Sequence, residues 1–314
     1  MKSLNSDVKR VYDMIIIGGG PAGYTSALYG AMAGFDVLLI EKMSAGGQMI
    51  QTNEIDNYPG FEDGIDGFTL GEKMKKQAEK FGAKTVNSEV LNLNLNSEPK
   101  VIEAIGETYY SKTVVLATGA GPRELGLKNE SDLVGRGVAY CASCDGMFYR
   151  GKTVVVVGGG NTAVEDALLL SRIAKKVILV HRRESFRATK VYYERLLKSE
   201  NVEFRLNSVV EELLHDGKIT GIKIKNVINE KTDEINCDGI FISIGRKPAT
   251  DFIKNQIALD GNGYVIAGED MKTNVEGVYA VGDVRAKSLR QIVTAVSDGA
   301  VAVHSAEEYL ANID

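Results

Sequence analysis

Two stretches of the chain repeat one arrangement of apolar runs and glycines. In each, four apolar residues, at 14–17 and at 154–157, lead directly into three consecutive glycines. A segment with the length and composition of a helix follows, and a second apolar run ends the stretch. Because short continuous apolar runs are typical of strands buried in a parallel sheet, each stretch is predicted to form a strand, a glycine turn, a helix and a second strand.

The two stretches superimpose without a gap when the first is shifted by 140 positions. The shift places residues 18–20 on residues 158–160, which are all glycine, and it places Glu41 on His181. A strand–helix–strand unit opened by a glycine turn is the core of dinucleotide-binding domains. The chain is therefore predicted to contain this unit twice.

Two further apolar runs end in glycine, at Gly119 and at Gly245, and we interpret both as places where the chain passes between domains. We predict an α/β fold with two Rossmann-like dinucleotide-binding domains, the second inserted into a discontinuous first. The predicted first domain comprises residues 1–118 and 246–314, and the inserted domain comprises residues 119–245.

The composition is that of an ordinary globular protein and narrows the choice of function. Hydrophobic residues make up 44% and charged residues 25% of the 314 residues, and a chain of this length typically forms about two domains. A net charge of −5 without a long Lys/Arg block excludes a nucleic-acid-binding role. No apolar run approaches the ~20 residues that span a bilayer. Since residues 1–10 also lack the apolar region of a signal peptide, we expect a cytoplasmic protein without membrane contact.

The first glycine turn has the spacing of a dinucleotide-binding fingerprint. Gly18 permits the tight turn, Gly20 lets the backbone approach a pyrophosphate, and Gly23 allows the helix to pack closely on the strand. Glu41, at the end of the second strand, can accept hydrogen bonds from a ribose diol. The alternative, a tight turn without a ligand, would not require this acid.

A second segment indicates that the first site binds FAD. Residues 278–281 form an apolar run that ends at Gly282 and Asp283. This resembles the Gly-Asp motif of flavoproteins that bind two dinucleotides, where the acid contacts the ribityl chain of the flavin. Arg290, Gln291 and the following helix would then lie beside the isoalloxazine ring. The alternative for Asp283 is a helix cap or a turn residue.

The second glycine turn differs from the first at the end of its second strand. Gly158 and Gly160 repeat the turn, with Asn161 and Thr162 between Gly160 and an alanine in the third position, which the fingerprint tolerates. Where the first unit has an acid, this one has His181, Arg182, Arg183 and, four residues on, Arg187. Guanidinium groups pair with phosphate in a bidentate way. We therefore predict NADPH rather than NADH, the alternative being a solvated basic turn.

A close pair of cysteines precedes the second unit. Cys141 and Cys144 have the spacing of a reversible disulfide, and a helix start there would stabilise a thiolate. Asp145 follows directly and is a candidate general acid–base group.

Zinc is the competing interpretation for the cysteine pair, but a structural zinc site needs four ligands. Cys237 is isolated at the start of an apolar run, and we expect it to be a buried apolar residue and no metal to be bound.

The ordered set of motifs resembles the bacterial-type, low-molecular-weight thioredoxin reductases from about residue 12 to residue 310. The motifs are Gly-Gly-Gly-Pro-Ala-Gly-Tyr (18–24), Gly-Gly-Gln (46–48), Asn-Tyr-Pro-Gly (57–60), Ala-Thr-Gly (117–119), Cys-Ala-Ser-Cys-Asp-Gly (141–146), Gly-Gly-Gly-Asn-Thr-Ala (158–163), His-Arg-Arg (181–183) with Phe-Arg (186–187), and Gly-Asp-Val (282–284) with Arg-Gln (290–291). One departure is mild, since Ser143 stands where threonine is commoner.

This resemblance implies a homodimeric enzyme with one FAD per subunit and thioredoxin, or a thioredoxin-like protein, as its substrate. NADPH would reduce the flavin, and the flavin would reduce the Cys141–Cys144 disulfide. Cys144 would face the flavin, Cys141 would attack thioredoxin, and Asp145 would be the acid–base group. The family also rotates one domain relative to the other.

The resemblance extends the two sets of cofactor-binding residues. By family position, Gln48, Thr52 and Asn57 would join Glu41. The predicted FAD set is Gly18, Gly20, Gly23, Glu41, Gln48, Thr52, Asn57, Gly119, Gly282, Asp283, Arg290 and Gln291. The predicted NADPH set is Gly158, Gly160, Asn161, Thr162, His181, Arg182, Arg183, Arg187 and Gly245. Two roles stay open for Glu165. It contacts the nicotinamide side, or its charge caps the helix.

Three other functions are weighed against this one. A relative that takes electrons from ferredoxin would lack the arginines that recognise the phosphate. A flavin reductase of the NADPH–ferredoxin type would not need the cysteine pair. A dinucleotide-responsive binding protein would have no evident use for a redox disulfide.

Overall fold

The computed structural model describes residues 10–52, 54–188 and 190–313. The chain divides into two compact units. Unit 1 comprises Met1–Ile50, Ile65–Gly121 and Lys247–Asp314, and unit 2 comprises Gln51–Gly64 and Pro122–Arg246. The predicted domain boundaries stay a prediction, and Gln51–Gly64 is a segment that groups with unit 2 although it lies early in the sequence.

The elements up to the first crossing are strands β1 (Val11–Ile17), β2 (Val37–Glu41), β3 (Lys84–Asn87), β4 (Val90–Asn94), β5 (Lys100–Ala104), β6 (Glu107–Leu116) and β7 (Ala120–Pro122), with helices α1 (Pro21–Met32) and α2 (Gly67–Lys80). The elements that follow are strands β8 (Val138–Ala139), β9 (Thr153–Val157), β10 (Lys176–Val180), β11 (Val202–Arg205), β12 (Ser208–His215), β13 (Ile219–Asn226), β14 (Thr232–Asn236), β15 (Gly239–Ile242) and β16 (Arg246–Pro248), with helices α3 (Ala142–Asp145), α4 (Asn161–Ser171) and α5 (Lys190–Leu197). The chain ends with β17 (Val278–Ala280) and α6 (Ile292–Ile313).

The sheet of unit 1 has seven strands in the order β3-β2-β1-β6-β5-β4, with β17 also pairing with β6. Strand β6 has three partners because it is long. Its first half pairs antiparallel with β5, and its second half pairs parallel with β17. On its other side β6 pairs parallel with β1. The parallel strands β1, β2 and β6 end at one edge of the sheet, which is where a Rossmann-like domain binds its ligand.

Unit 2 contains a parallel sheet of five strands in the order β11-β10-β9-β15-β8 and an antiparallel sheet of three, β12-β13-β14. Strands β7 and β16, where the chain passes between the units, form a two-stranded pair. The predicted α/β class with parallel sheets is confirmed. None of the helices within the described ranges is long and apolar enough to cross a membrane.

The apolar runs of the sequence form the cores of the two parallel sheets. Residues 14–16 and 154–156 are fully buried, because each strand lies in the middle of a sheet with neighbours on both sides. The helix after each glycine turn packs on its sheet through small residues such as Ala27 and Ala167, which are also fully buried. This close packing fixes the position of each glycine turn at the end of its strand.

Candidate active site and dinucleotide-binding loops

The first glycine turn joins β1 to α1, and its three fingerprint glycines have different surroundings. Gly18 has a φ of +106°, and a Cβ there would overlap the carbonyl oxygen of Ala117. A Cβ at Gly23 would overlap the carbonyl oxygen of Gly18. At Gly20 a Cβ would meet nothing within 4 Å. The first and third glycines are therefore required by the chain's own packing, whereas Gly20 borders open space.

Glu41 lies at the end of β2 with its carboxylate against this turn. Oε2 accepts a hydrogen bond from the Gly19 N–H at 2.5 Å, and Oε1 accepts one from the Met43 N–H at 2.9 Å. A Cβ at Gly19 would lie 3.0 Å from Glu41 Cγ. The middle glycine thus makes room for the acid, and the acid is held at the end of the strand where a ribose diol would be recognised.

The other residues predicted to contact FAD lie in four places. Gln48 belongs to a 3₁₀ turn, Gly47–Gln51, whose start is tied to the first glycine turn by a hydrogen bond from the Gly46 N–H to the Gly19 carbonyl at 2.8 Å. Thr52 and Asn57 lie in the segment that groups with unit 2. Gly119, after β6, has a φ of +70° and accepts a hydrogen bond from the Ala249 N–H.

The fourth place is the turn after β17. Gly282 begins a 3₁₀ turn, Gly282–Val284, with a φ of +70°. Arg290 stacks on the ring of Tyr264 at 4.0 Å and donates to the backbone carbonyl of Asp283 at 3.4 Å. Gln291 precedes α6, and its N–H donates to Thr294 Oγ1 at 3.1 Å. The structure therefore brings the predicted residues 282, 283 and 290 together.

Sequence reasoning missed the acid that supports this turn. Asp298 on α6 is 4% exposed and accepts a hydrogen bond from the Gly282 N–H at 2.9 Å. It also pairs with Arg285 and Lys287. The available signal was a single acid in an otherwise small and apolar stretch of helix, preceded by two cations in the adjoining loop.

The second glycine turn joins β9 to α4 and repeats the pattern of the first. A Cβ at Gly158 would overlap the carbonyl oxygen of Ser243, and a Cβ at Gly160 would meet nothing within 4 Å. Asn161 and Thr162 begin α4 with exposed side chains, and Glu165 is exposed one turn further on. Gly245, with a φ of +111°, follows β15 and accepts a hydrogen bond from the Arg123 N–H.

His181 occupies the position in unit 2 that Glu41 occupies in unit 1. Its ring stacks on Phe186 with 5.2 Å between centroids, and a Cβ at Gly159 would overlap it. The side chain is 5% exposed, and among the described residues its Nε2 has no hydrogen-bond partner. Burial lowers the pKa of His181, and the nearby arginines lower it further, so the imidazole is neutral at pH 7.

The three arginines form an exposed cationic edge beside this turn. Arg182 and Arg183 follow His181 directly, and the Arg187 N–H donates to the Gly159 carbonyl at 2.8 Å. That bond places the exposed side chain of Arg187 next to the second glycine turn. The three exposed guanidinium groups follow the end of β10, where they suit the 2′-phosphate of NADPH.

Sequence reasoning also missed a carboxyl group in unit 2, that of Asp166. Asp166 on α4 accepts a hydrogen bond from Ser243 Oγ at 2.5 Å, and the carbonyl of Ser243 is the group that faces Gly158. Burial raises the pKa of Asp166 to about 6. This bond ties α4 to the end of β15 on the side of the glycine turn.

Cys141 and Cys144 form a disulfide, with 5.3 Å between their Cα atoms. Cys141 directly precedes α3, and its carbonyl accepts a hydrogen bond from the Asp145 N–H at 3.0 Å. Its Sγ lies 3.3 Å from Ser143 Oγ. The short helix therefore holds both sulfurs and the carboxyl of Asp145 in one turn of chain.

Asp145 has the electrostatic character of a proton carrier near neutral pH. Burial raises the pKa of its carboxyl from 3.8 to about 6. The same negative charge contributes to the raised pKa of Tyr149, for which burial is the larger cause. A carboxyl group with this pKa exchanges protons readily under physiological conditions.

Cys237 is buried, as expected, and burial raises the pKa of its thiol to about 12. It is therefore an unreactive thiol at neutral pH. Within residues 10–52, 54–188 and 190–313, no group of three or more His, Cys, Asp and Glu side chains is placed to hold a metal ion.

The residues at the two glycine turns fit the groups that the sequence predicts. Gly20 and Gly160 are the N-cap residues of α1 and α4, and a Cβ at either would meet nothing within 4 Å, so a phosphate can approach the backbone at both helix starts. One turn carries a carboxylate and the other carries guanidinium groups. The two glycine turns and the disulfide define the class, a dinucleotide-dependent disulfide oxidoreductase.

Comparison with known proteins gives the family. Residues 12–299 match the family model described as pyridine nucleotide-disulphide oxidoreductase, and the chain belongs to this family. It is 45% identical over 309 residues to a protein of Peptoclostridium acidaminophilum named thioredoxin reductase, and the match covers 96% of this chain and 98% of that protein. A protein of Listeria monocytogenes with the same name is 45% identical over 303 residues, which cover 96% of this chain and 95% of that protein.

The solved structures agree with this assignment. The crystal structure of thioredoxin reductase from Streptococcus pyogenes is similar with a TM-score of 0.88 and 41% identity, covering 96% of this chain and 99% of that chain. The thioredoxin reductase from Giardia duodenalis has a TM-score of 0.88 at 35% identity, covering 96% of this chain and 100% of that chain. Family membership confirms the predicted type of enzyme, an oxidoreductase, and its predicted cofactors, FAD and NADPH.

Proposed function

We propose that this chain is a thioredoxin reductase, which transfers electrons from NADPH through FAD to the Cys141–Cys144 disulfide and from there to oxidised thioredoxin. The observation that carries the proposal is the disulfide itself, formed within one helical turn beside a carboxyl group of near-neutral pKa. Relatives that cover nearly the whole chain bear this name.

Each glycine turn holds one nucleotide in this proposal. Gly20 lets the backbone approach the pyrophosphate of FAD, and Glu41 binds the adenosine ribose. Gly160 does the same for NADPH, with Arg182, Arg183 and Arg187 on the 2′-phosphate. The remaining residues of the two predicted sets line the same sites.

FAD, when bound, would supply the electron pair for the disulfide, received from NADPH as a hydride. With two electrons the Cys141–Cys144 bond would break and two protons would complete the dithiol, and by family position Cys144 would be the sulfur that receives the electrons. Asp145 delivers a proton to the departing sulfur, because its raised pKa leaves a fraction of the carboxyl protonated near neutral pH.

The dithiol then reduces thioredoxin by thiol–disulfide exchange. The Cys141 thiolate attacks one sulfur of the thioredoxin disulfide and forms a mixed disulfide. The Cys144 thiolate attacks Cys141, which regenerates the internal disulfide and releases thioredoxin with two thiols. Asp145 accepts the proton that Cys144 loses in this step.

The test is an anaerobic titration of the yellow, FAD-loaded protein with NADPH. Wild type is expected to consume two equivalents per subunit, one for the flavin and one for the disulfide, and the Cys141→Ser variant is expected to consume one. The steady-state rate of thioredoxin reduction with NADPH is measured alongside the titration. One equivalent in wild type, or no NADPH-dependent reduction of thioredoxin, would exclude the proposal.

Two further properties belong to this proposal. We propose a homodimer, and large apolar side chains exposed on unit 1, including Tyr29, Met32 and Leu289, support it. We also propose a cytoplasmic location. A reducing compartment suits the redox disulfide of a chain with three cysteines, whereas it would not suit a structural disulfide.

A further inference from the structure

Asp298 is a buried acid that the proposed reaction does not use directly. Its Oδ2 accepts hydrogen bonds from the Gly282 N–H at 2.9 Å, from Lys287 Nζ at 2.8 Å and from Arg285 Nε at 3.0 Å. Its Oδ1 accepts one from Arg285 Nη2 at 3.2 Å. Four donors from one loop therefore converge on a single carboxylate of α6.

The first of these donors is the backbone of the turn that begins at Gly282. The φ of +70° at this residue favours glycine, and a Cβ there would lie 3.0 Å from the Cβ of Ala22 in α1. The turn is thus packed against the helix that the first glycine turn opens. The Asp298 carboxylate fixes its leading N–H group from the side of α6.

Arg285 extends the network to the other residues of the predicted flavin site. Its guanidinium donates to the carbonyls of Ala267 and Gly268 at 3.3 Å and 3.2 Å. Its own carbonyl accepts a hydrogen bond from Arg290 Nη2 at 3.2 Å, and Arg290 Nε donates to the carbonyl of Asp283. Asp298 is therefore connected through Arg285 to both Arg290 and Asp283.

The charges of this network make the carboxylate hard to replace. The side chains of Arg285, Lys287 and Asp298 are 13%, 7% and 6% exposed, respectively. Two buried cations share one anion, so removal of the carboxylate charge would leave two like charges close together without compensation. Lys287 Nζ also donates to Thr294 Oγ1 at 3.3 Å.

We propose that Asp298 is a positioning residue of the flavin site, which holds the Gly282–Asp283 turn and Arg290 in the conformation that binds FAD. This inference rests on the proposed assignment of Gly282, Asp283 and Arg290 to that site. Asp298 acts through the turn and is not assigned a contact with the flavin.

The test compares two carboxylate-to-amide changes on the same helix, Asp298→Asn and Glu308→Gln. Glu308 is the matched control, because it is exposed and pairs with Lys272 at 3.4 Å away from the turn. For each full-length protein, the Kd for FAD is measured by fluorescence titration of the apoprotein. The thermal midpoint is measured with and without FAD, and the visible absorption spectrum of the bound flavin is recorded.

We expect Asp298→Asn to raise the Kd for FAD about tenfold or more, since it weakens several charge-assisted hydrogen bonds at once. The stabilisation gained on adding FAD should shrink accordingly, and the flavin spectrum should shift. Glu308→Gln should match wild type in all three measurements.

An Asp298→Asn protein that binds FAD as tightly as wild type would overturn the inference. This holds even if the thermal midpoints of apoprotein and holoprotein were both lowered, because Asp298 would then only stabilise the fold. Should Asp298→Asn fail to fold, Lys287→Met keeps the Gly282 bond and removes one ion pair. A raised Kd for FAD in Lys287→Met would support the inference, and an unchanged Kd would overturn it. A wild-type protein that binds no FAD would overturn the proposed function as well, which separates the two failures.

Discussion

The carboxyl group of Asp145 lies one residue from Cys144, and burial raises its pKa from 3.8 to about 6. In the folded protein this group keeps its proton to a higher pH than it does in the unfolded chain. The contribution of Asp145 to the free energy of unfolding is therefore full below about pH 4 and is lost as the pH rises through about 6. Burial disfavours the charged form of this carboxyl group.

We expect two effects of Asp145→Asn. The oxidised variant should be more resistant to urea than wild type above about pH 6, and the difference should vanish below about pH 4, because asparagine has no charge to bury. Thioredoxin turnover should fall about 100-fold, the usual scale for losing a general acid. Urea midpoints across this pH range and steady-state kinetics check these effects. A variant with wild-type turnover would remove Asp145 from the mechanism.

The role of a single residue could be predicted from the sequence where the residue belongs to a motif of recognised spacing. Glu41 and His181 could be found because the internal repeat aligns them, and Cys141 and Cys144 because two residues separate them. Asp298 could not be found in this way. Its importance comes from donors that lie 11 to 16 residues earlier and converge on it only in the folded protein.

Among the elements, the strands and helices next to the two glycine turns could be predicted well. A helix was expected directly after each glycine turn, and α1 extends over Pro21–Met32 and α4 over Asn161–Ser171. Continuous apolar runs and glycine punctuation carry this signal. The antiparallel strands β12 to β14 are half-exposed and lack such runs, so the repeat gave no indication of them.

The grouping of Gln51–Gly64 with unit 2 could not be predicted from the chain order. This segment is rich in acids and glycine and has neither a helical nor a strand periodicity. Its place is set by contacts far away in the sequence, and such contacts leave no local pattern. Thr52 and Asn57, which were predicted by family position alone, fall within it.

The two glycine turns allow a paired prediction at the level of one element. Gly20→Ala and Gly160→Ala introduce a methyl group where nothing lies within 4 Å, at φ values of −78° and −93° that alanine adopts freely. Each apoprotein should therefore fold with a thermal midpoint close to that of wild type. Each methyl group should block the pyrophosphate at its own turn.

We expect Gly20→Ala to weaken FAD binding and Gly160→Ala to weaken NADPH binding, each by about tenfold or more, since a misplaced pyrophosphate loses charge-assisted hydrogen bonds. Each variant serves as the control for the other. Fluorescence titrations with FAD and with NADPH check the result. Loss of both nucleotides in both variants would contradict independent sites.

At the scale of the whole molecule, the proposed homodimer makes a simple prediction. The FAD-loaded protein should have a mass twice the 34.0 kDa of one chain, because burial of exposed apolar side chains favours association. Light scattering after size-exclusion chromatography measures this directly. A mass of one chain that does not change with protein concentration would refute the dimer.

The contacts of Gly19 and Gly159 have a consequence for the history of such chains. In both turns the middle glycine leaves room for a side chain of the protein itself, Glu41 in one and His181 in the other, whereas the glycine after it faces open space. A descendant that stopped using one nucleotide would be free to replace Gly20 or Gly160. It would keep the glycines that the chain's own packing requires, so a turn that retains those and has lost Gly20 or Gly160 marks an ancestral fold rather than a working site.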